Sequence, residues 1–215
     1  MQFATWKPVY LQILDDFGFS PHGDVEAAQM LADLLHERSL PLSAARDAVA
    51  GRRAVICGNA PALDRDLAEM KEQHELHDGN TVILAADGAT AVLLRRDIVP
   101  DIVVTDLDGP FPAILEANRR GSIIVVHAHG DNLDAITCYV PKLERVMGTV
   151  QCLPPAGLHN FGGFTDGDRC VFLAKELGAA GIVLKGFYFE DESVTPRKRK
   201  KLAWAKRLID LALSK

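Results

Sequence analysis

From Gly51 onward, short apolar runs alternate with longer amphipathic stretches. Residues 54–57, 81–85, 102–105, 122–127, 146–150 and 182–184 are strand-sized and largely apolar, the pattern of parallel strands buried on both faces. Helical spacing appears between most of them, over residues 61–74, 111–119, 132–139 and 168–177. Gly121 and Gly178 stand where helix C-caps belong. Residues 196–213 form a last amphipathic helix whose apolar stripe is Leu202, Ala205, Leu208, Ile209 and Ala212. Strand and helix in alternation predict the α/β class: a mostly parallel open sheet with helices on both faces, over residues 51–215.

Residues 1–50 read differently, as helix without strands. Ser20-Pro21 is a helix start with proline at the first helical position. Val25, Met30, Leu31, Leu34 and Leu35 then fall at helical spacing as the expected buried stripe. No chemistry-bearing pattern stands out here, so the segment is expected to be a helical cap on the main domain.

Composition narrows the class. Of 215 residues, 48% are hydrophobic and 25% charged, an ordinary globular balance with no disordered tract. The longest apolar runs are too short to span a membrane, and the N-terminus lacks a basic region followed by an apolar stretch. Cys57, Cys138, Cys152 and Cys170 are scattered, with no CxxC pair, which points away from a zinc ribbon or disulfide framework and toward a reducing cytoplasm. The net charge of −5 disfavours nucleic acid as a partner. The basic run 197–201 reads as a solvated helix face. Neither membrane nor nucleic acid is expected as a partner, and a homodimer is left open.

Ligands of open α/β sheets bind beyond the carboxyl ends of the strands. The residues after each predicted strand are Gly58-Asn59-Ala60-Pro61, Asp87-Gly88-Ala89, Asp106-Leu107-Asp108-Gly109, and His127 to Asp134. A further loop, Gly162-Gly163-Phe164-Thr165-Asp166-Gly167-Asp168, precedes a helix. In a parallel sheet all five lie on one rim, and four carry aspartate. Asp106 and Asp108, two residues apart in extended chain, face the same side about 7 Å apart. Two such carboxylates repel each other unless a hard cation joins them, and magnesium is commonly held by carboxylates and substrate phosphates. With Asp87 and Asp131 on the same rim, Asp106 and Asp108 are the expected metal ligands.

The other loops leave alternatives open. Gly58-Asn59-Ala60-Pro61 suits either a phosphate contact at a helix start or a plain tight turn. His127 and His129 share one side of a strand end as substrate-contacting or structural residues. Asp131-Asn132 also suits a helix cap. Three glycines within 162–167 suggest a loop that bends around a ligand and orders over it, with Thr165 or Asp166 capping the helix and Arg169 reaching either a phosphate or a surface carboxylate.

Taken together, Gly58-Asn59-Ala60-Pro61, Ala86-Asp87-Gly88-Ala89, the stretch Pro100 to Gly109 with its TDLDG block, His127-Ala128-His129-Gly130-Asp131-Asn132 and the GGFTDGDR block at 162–169 resemble the archaeal-type 6-hydroxymethyl-7,8-dihydropterin pyrophosphokinases. The resemblance runs from about Gly51 to Phe189. Its departure is Gly58-Asn59-Ala60-Pro61-Ala62-Leu63, where that family has GxGPSL. The loop order is also similar to thiamine pyrophosphokinases, with Phe164 and Gly167 replacing an arginine and a histidine of their GGRxDH loop. Glycosyltransferase-like motility accessory factors share part of the fold.

The resemblance implies a Rossmann-like, thiamine-pyrophosphokinase-like fold. It also implies transfer of diphosphate from ATP to the pterin alcohol, with magnesium on Asp87, Asp106, Asp108 and Asp131. Catalysis would fall to Asp106, Asp108 and His129. Nucleotide and phosphates would meet Gly58, Asn59, Ala60, Gly88, Gly130, Gly162, Gly163, Thr165, Asp166 and Arg169. A flat pterin needs apolar faces and edge-bonding amides, for which Asn132, Asn160, Phe161 and Phe164 are the candidates. A thiamine or other alcohol pyrophosphokinase, a nucleotide-sugar transferase and a non-catalytic nucleotide-binding protein are the competing readings.

Overall fold

A computed structural model describes residues 2–73 and 79–214. Six strands alternate with helices after a helical start. They are β1 (Arg53–Cys57), β2 (Thr81–Ala86), β3 (Ile102–Thr105), β4 (Ile123–Ala128), β5 (Val146–Val150) and β6 (Gly181–Lys185). All pair in parallel, in the order β5-β4-β3-β2-β1-β6. The chain therefore steps outward from β1 to β5, then crosses back to place β6 on the far side of β1. That reversal is a topological switch point, with ligand space expected outside the strand carboxyl ends beside β1.

The steps outward carry α4 (Leu63–Glu72), α5 (Ala89–Arg95), α6 (Phe111–Arg119) and α7 (Leu133–Tyr139). Right-handed crossovers place these on one face and α8 (Asp166–Glu176), which belongs to the return crossing, on the other. Alpha-helix α8 covers β1, β2, β3 and β6, and α9 (Pro196–Leu213) packs upon it. The sequence pattern contains no clear signal for α5; its seven residues, Ala89–Arg95, are too few for a periodicity to emerge. Helix α4 was expected over residues 61–74; it begins at Leu63, after a turn, and His74 lies outside the described residues. Gly121 and Gly178 follow the ends of α6 and α8 with φ of +109° and +85°, as C-terminal glycines should.

The N-terminal segment forms α1 (Phe3–Phe17), α2 (Pro21–Leu35) and α3 (Leu42–Val49). Ser20 caps α2 by accepting from His22 N, with Pro21 in the first turn. The buried face of α2 is Asp24, Ala27, Ala28, Leu31 and Leu35; Leu31 and Leu35 of the predicted stripe are in it and Leu34 packs at its edge. Val25 and Met30 are exposed. The misreading has a physical cause: α2 approaches β4, β5 and α7 closely, and small residues permit that approach where large ones would not. Trp6, Tyr10, Ile13 and Leu14 of α1 complete this side of a core that continues through the sheet to Ile209 and Ala212 of α9. Trp6 Nε1 donates to Gln151 O at 2.9 Å, and Trp204 Nε1 donates to Asp16 Oδ2 at 2.7 Å. These two bonds tie α1 to the loop after β5 and to α9. Among the described residues no helix is long and apolar enough to cross a membrane.

Candidate active site

A cleft of about 660 Å³ opens at the carboxyl edge of the sheet. Its floor is the acid cluster after β2 and β3. Strand β3 stops at Thr105, and the extended geometry expected for Asp106 and Asp108 is not what the chain adopts. Leu107 between them takes a left-handed φ of +67°, a conformation that costs a branched side chain roughly 1 kcal/mol or more. Burial of Leu107 in the core offsets that cost, and its N–H donates to Thr105 Oγ1 at 2.8 Å. The resulting turn, closed by Asp108 N donating to Asp106 Oδ1 at 3.2 Å, folds both carboxylates to the same side.

Asp87 joins them from the end of β2. It too has a positive φ, +34°, and its Oδ1 accepts from Thr105 Oγ1 at 2.5 Å. Ligand oxygens of Asp87, Asp106 and Asp108 lie within 4.8 Å of one another. The crowding shows in their protonation. Burial, then the charges of Asp108 and Asp106, push the Asp87 carboxyl up to about 6 against its bond from Thr105. Burial and Asp106 raise Asp108 as well. Burial would also raise Asp106, but bonds from His129 and Asp108 outweigh it and hold that carboxyl at about 2. Asp166, at the start of α8, lines the same cleft; burial and the charges of Asp106, Asp87 and Asp108 push it well above the usual carboxylate range. A set of hard oxygen donors that repel one another is the set a divalent cation relieves, so this cluster can hold a metal ion. Asp131 lines the cleft but stands outside the three-carboxylate group.

His129 Nε2 lies 3.2 Å from Asp106 Oδ2, while its Nδ1 accepts from Asp131 N. An accepting Nδ1 puts the proton of the neutral ring on Nε2, so His129 donates to Asp106 and orients it. His127 is fully buried; burial, then the Arg169 charge, keep it well below the ordinary histidine range and neutral.

The rim amides expected to cradle phosphate are largely engaged. Gly58 N and Ala60 N donate to Lys185 O and Gly186 O of the β6 loop, because β6 lies directly against β1. Gly130 N donates to Asp24 Oδ1. Asn59 and Gly88 line the cleft packed on one another. A side chain is barred at Gly109, where a Cβ would stand 1.9 Å from Asp87 Oδ2.

The segment from Asn160 to Arg169 is floor rather than a cover over the site. Asp168 is completely buried and accepts from Phe164 N, Thr165 N and Thr165 Oγ1. Thr165 and Asp166 line the cleft, with Thr165 as N-cap of α8. Gly162 and Gly163 sit beneath it, and Gly163, at φ +96°, leaves no room for a Cβ beside Arg169 and Asp168. Arg169 is a buried floor residue, donating to Gln151 Oε1 at 3.1 Å and Phe164 O at 3.3 Å; it is not on the outer surface.

Of the four expected pterin residues, the structure brings only Phe164 to the cleft. Asn132 spends its amide on Asp106 O and His127 O and its carbonyl on His129 N. Asn160 is similarly spent on Gln151 O, Cys152 O and Gly162 N. Phe161 is buried against His159, with ring centres 5.5 Å apart. Both asparagines are loop clamps whose donors and acceptors are consumed within the chain.

The cleft has walls that the motif reading passes over. Phe19, Ser20, Gly23 and Asp24 come from the start of α2. Asp24 ties that helix to the rim, accepting from Tyr10 Oη, Gln151 Nε2 and Gly130 N. Phe187, Tyr188 and Phe189 after β6 also line the cleft. Their signal was the strand order: once β6 sits beside β1, the residues after it must join the rim.

Fold and site thus define an all-parallel α/β protein with a cation-ready acidic cleft at its switch point. The chain belongs to the family of MptE-like 6-hydroxymethylpterin diphosphokinases, whose pattern matches residues 28–192. It is 45% identical over 225 residues to the 6-hydroxymethyl-7,8-dihydropterin pyrophosphokinase of Methanothermobacter thermautotrophicus, covering 98% of this chain and 94% of that one. Proteins of the same name from Methanocaldococcus jannaschii and Pyrococcus furiosus are 41% and 39% identical, each over 98% of this chain and 95% and 94% of theirs. Among solved structures, the MAf glycosyltransferase from Magnetospirillum magneticum AMB-1 has a TM-score of 0.52 at 16% identity over 86% of this chain. The chain spans 34% of that protein, and the likeness is one of fold.

Proposed function

We infer that this protein transfers diphosphate from ATP to 6-hydroxymethyl-7,8-dihydropterin, releasing AMP. Family membership supports the reaction, and the observation that carries it to this cleft is the group of Asp87, Asp106 and Asp108 within 4.8 Å. In this reaction the hydroxymethyl oxygen forms a bond to the β-phosphorus of ATP and the bond from that phosphorus to the α,β-bridging oxygen breaks. AMP leaves with the bridging oxygen, and the alcohol gives up its proton. Phosphoryl transfers of this kind need alignment and charge neutralisation more than covalent help.

Asp87, Asp106 and Asp108 would hold magnesium, which when bound neutralises charge developing on the phosphates. His129 holds Asp106 in place, and Leu107 and Gly109 shape the turn that presents the ligands. The pterin would lie against the aromatic residues of the cleft, Phe164, Phe187 and Phe189. The test is to mix protein, ATP and magnesium with the pterin alcohol or with thiamine and to measure AMP. AMP release with the pterin and not with thiamine is expected; equal rates would remove the pterin assignment, and no release with either would remove the activity.

A further inference from the structure

The basic run 197–201 opens α9 and is exposed from Arg197 to Lys200, but part of it also borders the cleft. Arg199 donates to Glu192 O, and Lys200 pairs with Asp16 at 3.2 Å. Arg197, Lys198 and Lys201 instead line the cleft, together with Leu202 and Ala205 one turn further on. That spacing is a single helical face. Of the four lysine and arginine residues in the cleft lining, three are therefore on this helix; the fourth, Arg169, is buried in the floor, where its Nη2 donates to Gln151 and Phe164.

Among the described residues, none of these three cations has a carboxylate within ion-pair distance. Two of them stand over rings. The Arg197 guanidinium is 5.4 Å from the Phe19 ring centre, and Lys201 Nζ is 6.0 Å from that of Phe164. A cation over an aromatic face is positioned without spending its N–H donors. Lys201 also acts electrostatically on Asp108, so the basic wall and the acid floor share one space. The floor brings negative charge to a site meant for a polyanion. A single divalent ion on three carboxylates leaves little positive charge over for the phosphates, and the rim amides of Gly58, Ala60 and Gly130 are already bonded.

We propose that Arg197, Lys198 and Lys201 form the polyphosphate clamp of this site, gripping the phosphate chain of the nucleoside triphosphate from the wall facing Asp106 and Asp108. The assignment rests on the pyrophosphokinase reading for its ligand, but not for its test. Inorganic tripolyphosphate and α,β-methylene-ATP, each with magnesium, are titrated calorimetrically into wild-type protein. The same titrations are run on Arg197→Gln, Lys198→Gln, Lys201→Gln, the triple variant, Lys201→Arg and a control, Lys206→Gln. Lys206 pairs with Asp210 on the same helix, away from the cleft.

Each single loss is expected to weaken both ligands about tenfold, as removal of one charge-assisted hydrogen bond does. The triple variant should lose at least about 100-fold and show a shallower dependence on salt, since fewer charges are being screened. Lys201→Arg should keep most of the affinity and Lys206→Gln all of it, with thermal midpoints near wild type throughout. Unchanged affinity and salt dependence in the triple variant would overturn the clamp, as would failure of the wild type to bind either probe. Weakened binding in a protein that releases no AMP with the pterin would uphold the clamp and sink the activity; AMP release with unaltered binding would do the reverse.

Discussion

At the scale of single residues, the site depends on backbone that ordinary side chains avoid. Leu107 at φ +67° and Asp87 at φ +34° are the places where the chain turns its carboxylates inward. The sequence grouped Asp87, Asp106 and Asp108 but added Asp131, and it suggested an extended DxD; the left-handed leucine, held by burial and by Thr105, leaves no composition signal. Asp106→Asn and Asp108→Asn should each lower turnover by at least about 100-fold, because each removes a negative ligand where phosphate charge develops. Near-normal rates of AMP release in both would remove the metal assignment. Gly109→Ala is a sharper probe, since its Cβ would stand 1.9 Å from Asp87 Oδ2 and must displace that carboxylate. It should raise the magnesium concentration needed for half-maximal activity by about tenfold or more, with every ligand still present. An unaltered magnesium titration would show that Asp87 is not in the metal shell.

At the scale of elements, the GGFTDGDR stretch illustrates what a motif does and does not disclose. Its glycines suggest a loop that bends around a ligand, but at Gly163 the close approach is to the chain's own Arg169 and Asp168. A buried aspartate accepting three hydrogen bonds fixes the segment as floor, which a sequence cannot distinguish from a loop that closes over substrate. Asp168→Ala leaves those donors without an acceptor and the start of α8 loose. It should destabilise the fold by about 2–4 kcal/mol, lowering the thermal midpoint by roughly 5–15 °C. A shift of less than a degree or two would show that the segment is held by other means. Helix α9 makes the converse point. Ala205, Leu208, Ile209 and Ala212 of its apolar stripe were legible because they obey helical spacing, whereas the burial of Trp204 in place of Leu202 and the approach of its basic run to the cleft follow from its seat on α8.

At the scale of the whole molecule, the parallel α/β plan and its rim of aspartates were legible because both follow from local periodicity and strand ends. The strand order was not, and with it went the β6 loop and the start of α2, which reach the cleft only through the tertiary arrangement. Asp24 is the clearest loss: an acidic residue in a helix of no evident chemistry, it is buried and joins α1, α2 and the loops after β4 and β5. Asp24→Ala should cost about 2–4 kcal/mol by stranding Tyr10, Gln151 and Gly130, read as a fall in midpoint in chemical denaturation. Unchanged stability would make the network incidental.

The two bonds made by the indoles acquire a practical meaning from this arrangement. The chain has two tryptophans. Trp6 is anchored to the backbone of Gln151 beneath the floor, and Trp204 to Asp16, which also holds Lys200 behind the basic wall. The protein thus carries one chromophore bonded beside Gln151 of the cleft lining and one on the basic helix α9. Near-ultraviolet emission reports on the floor in a Trp204→Phe variant and on the wall in a Trp6→Phe variant, so the order in which cation and nucleotide arrive is readable by stopped flow without any dye.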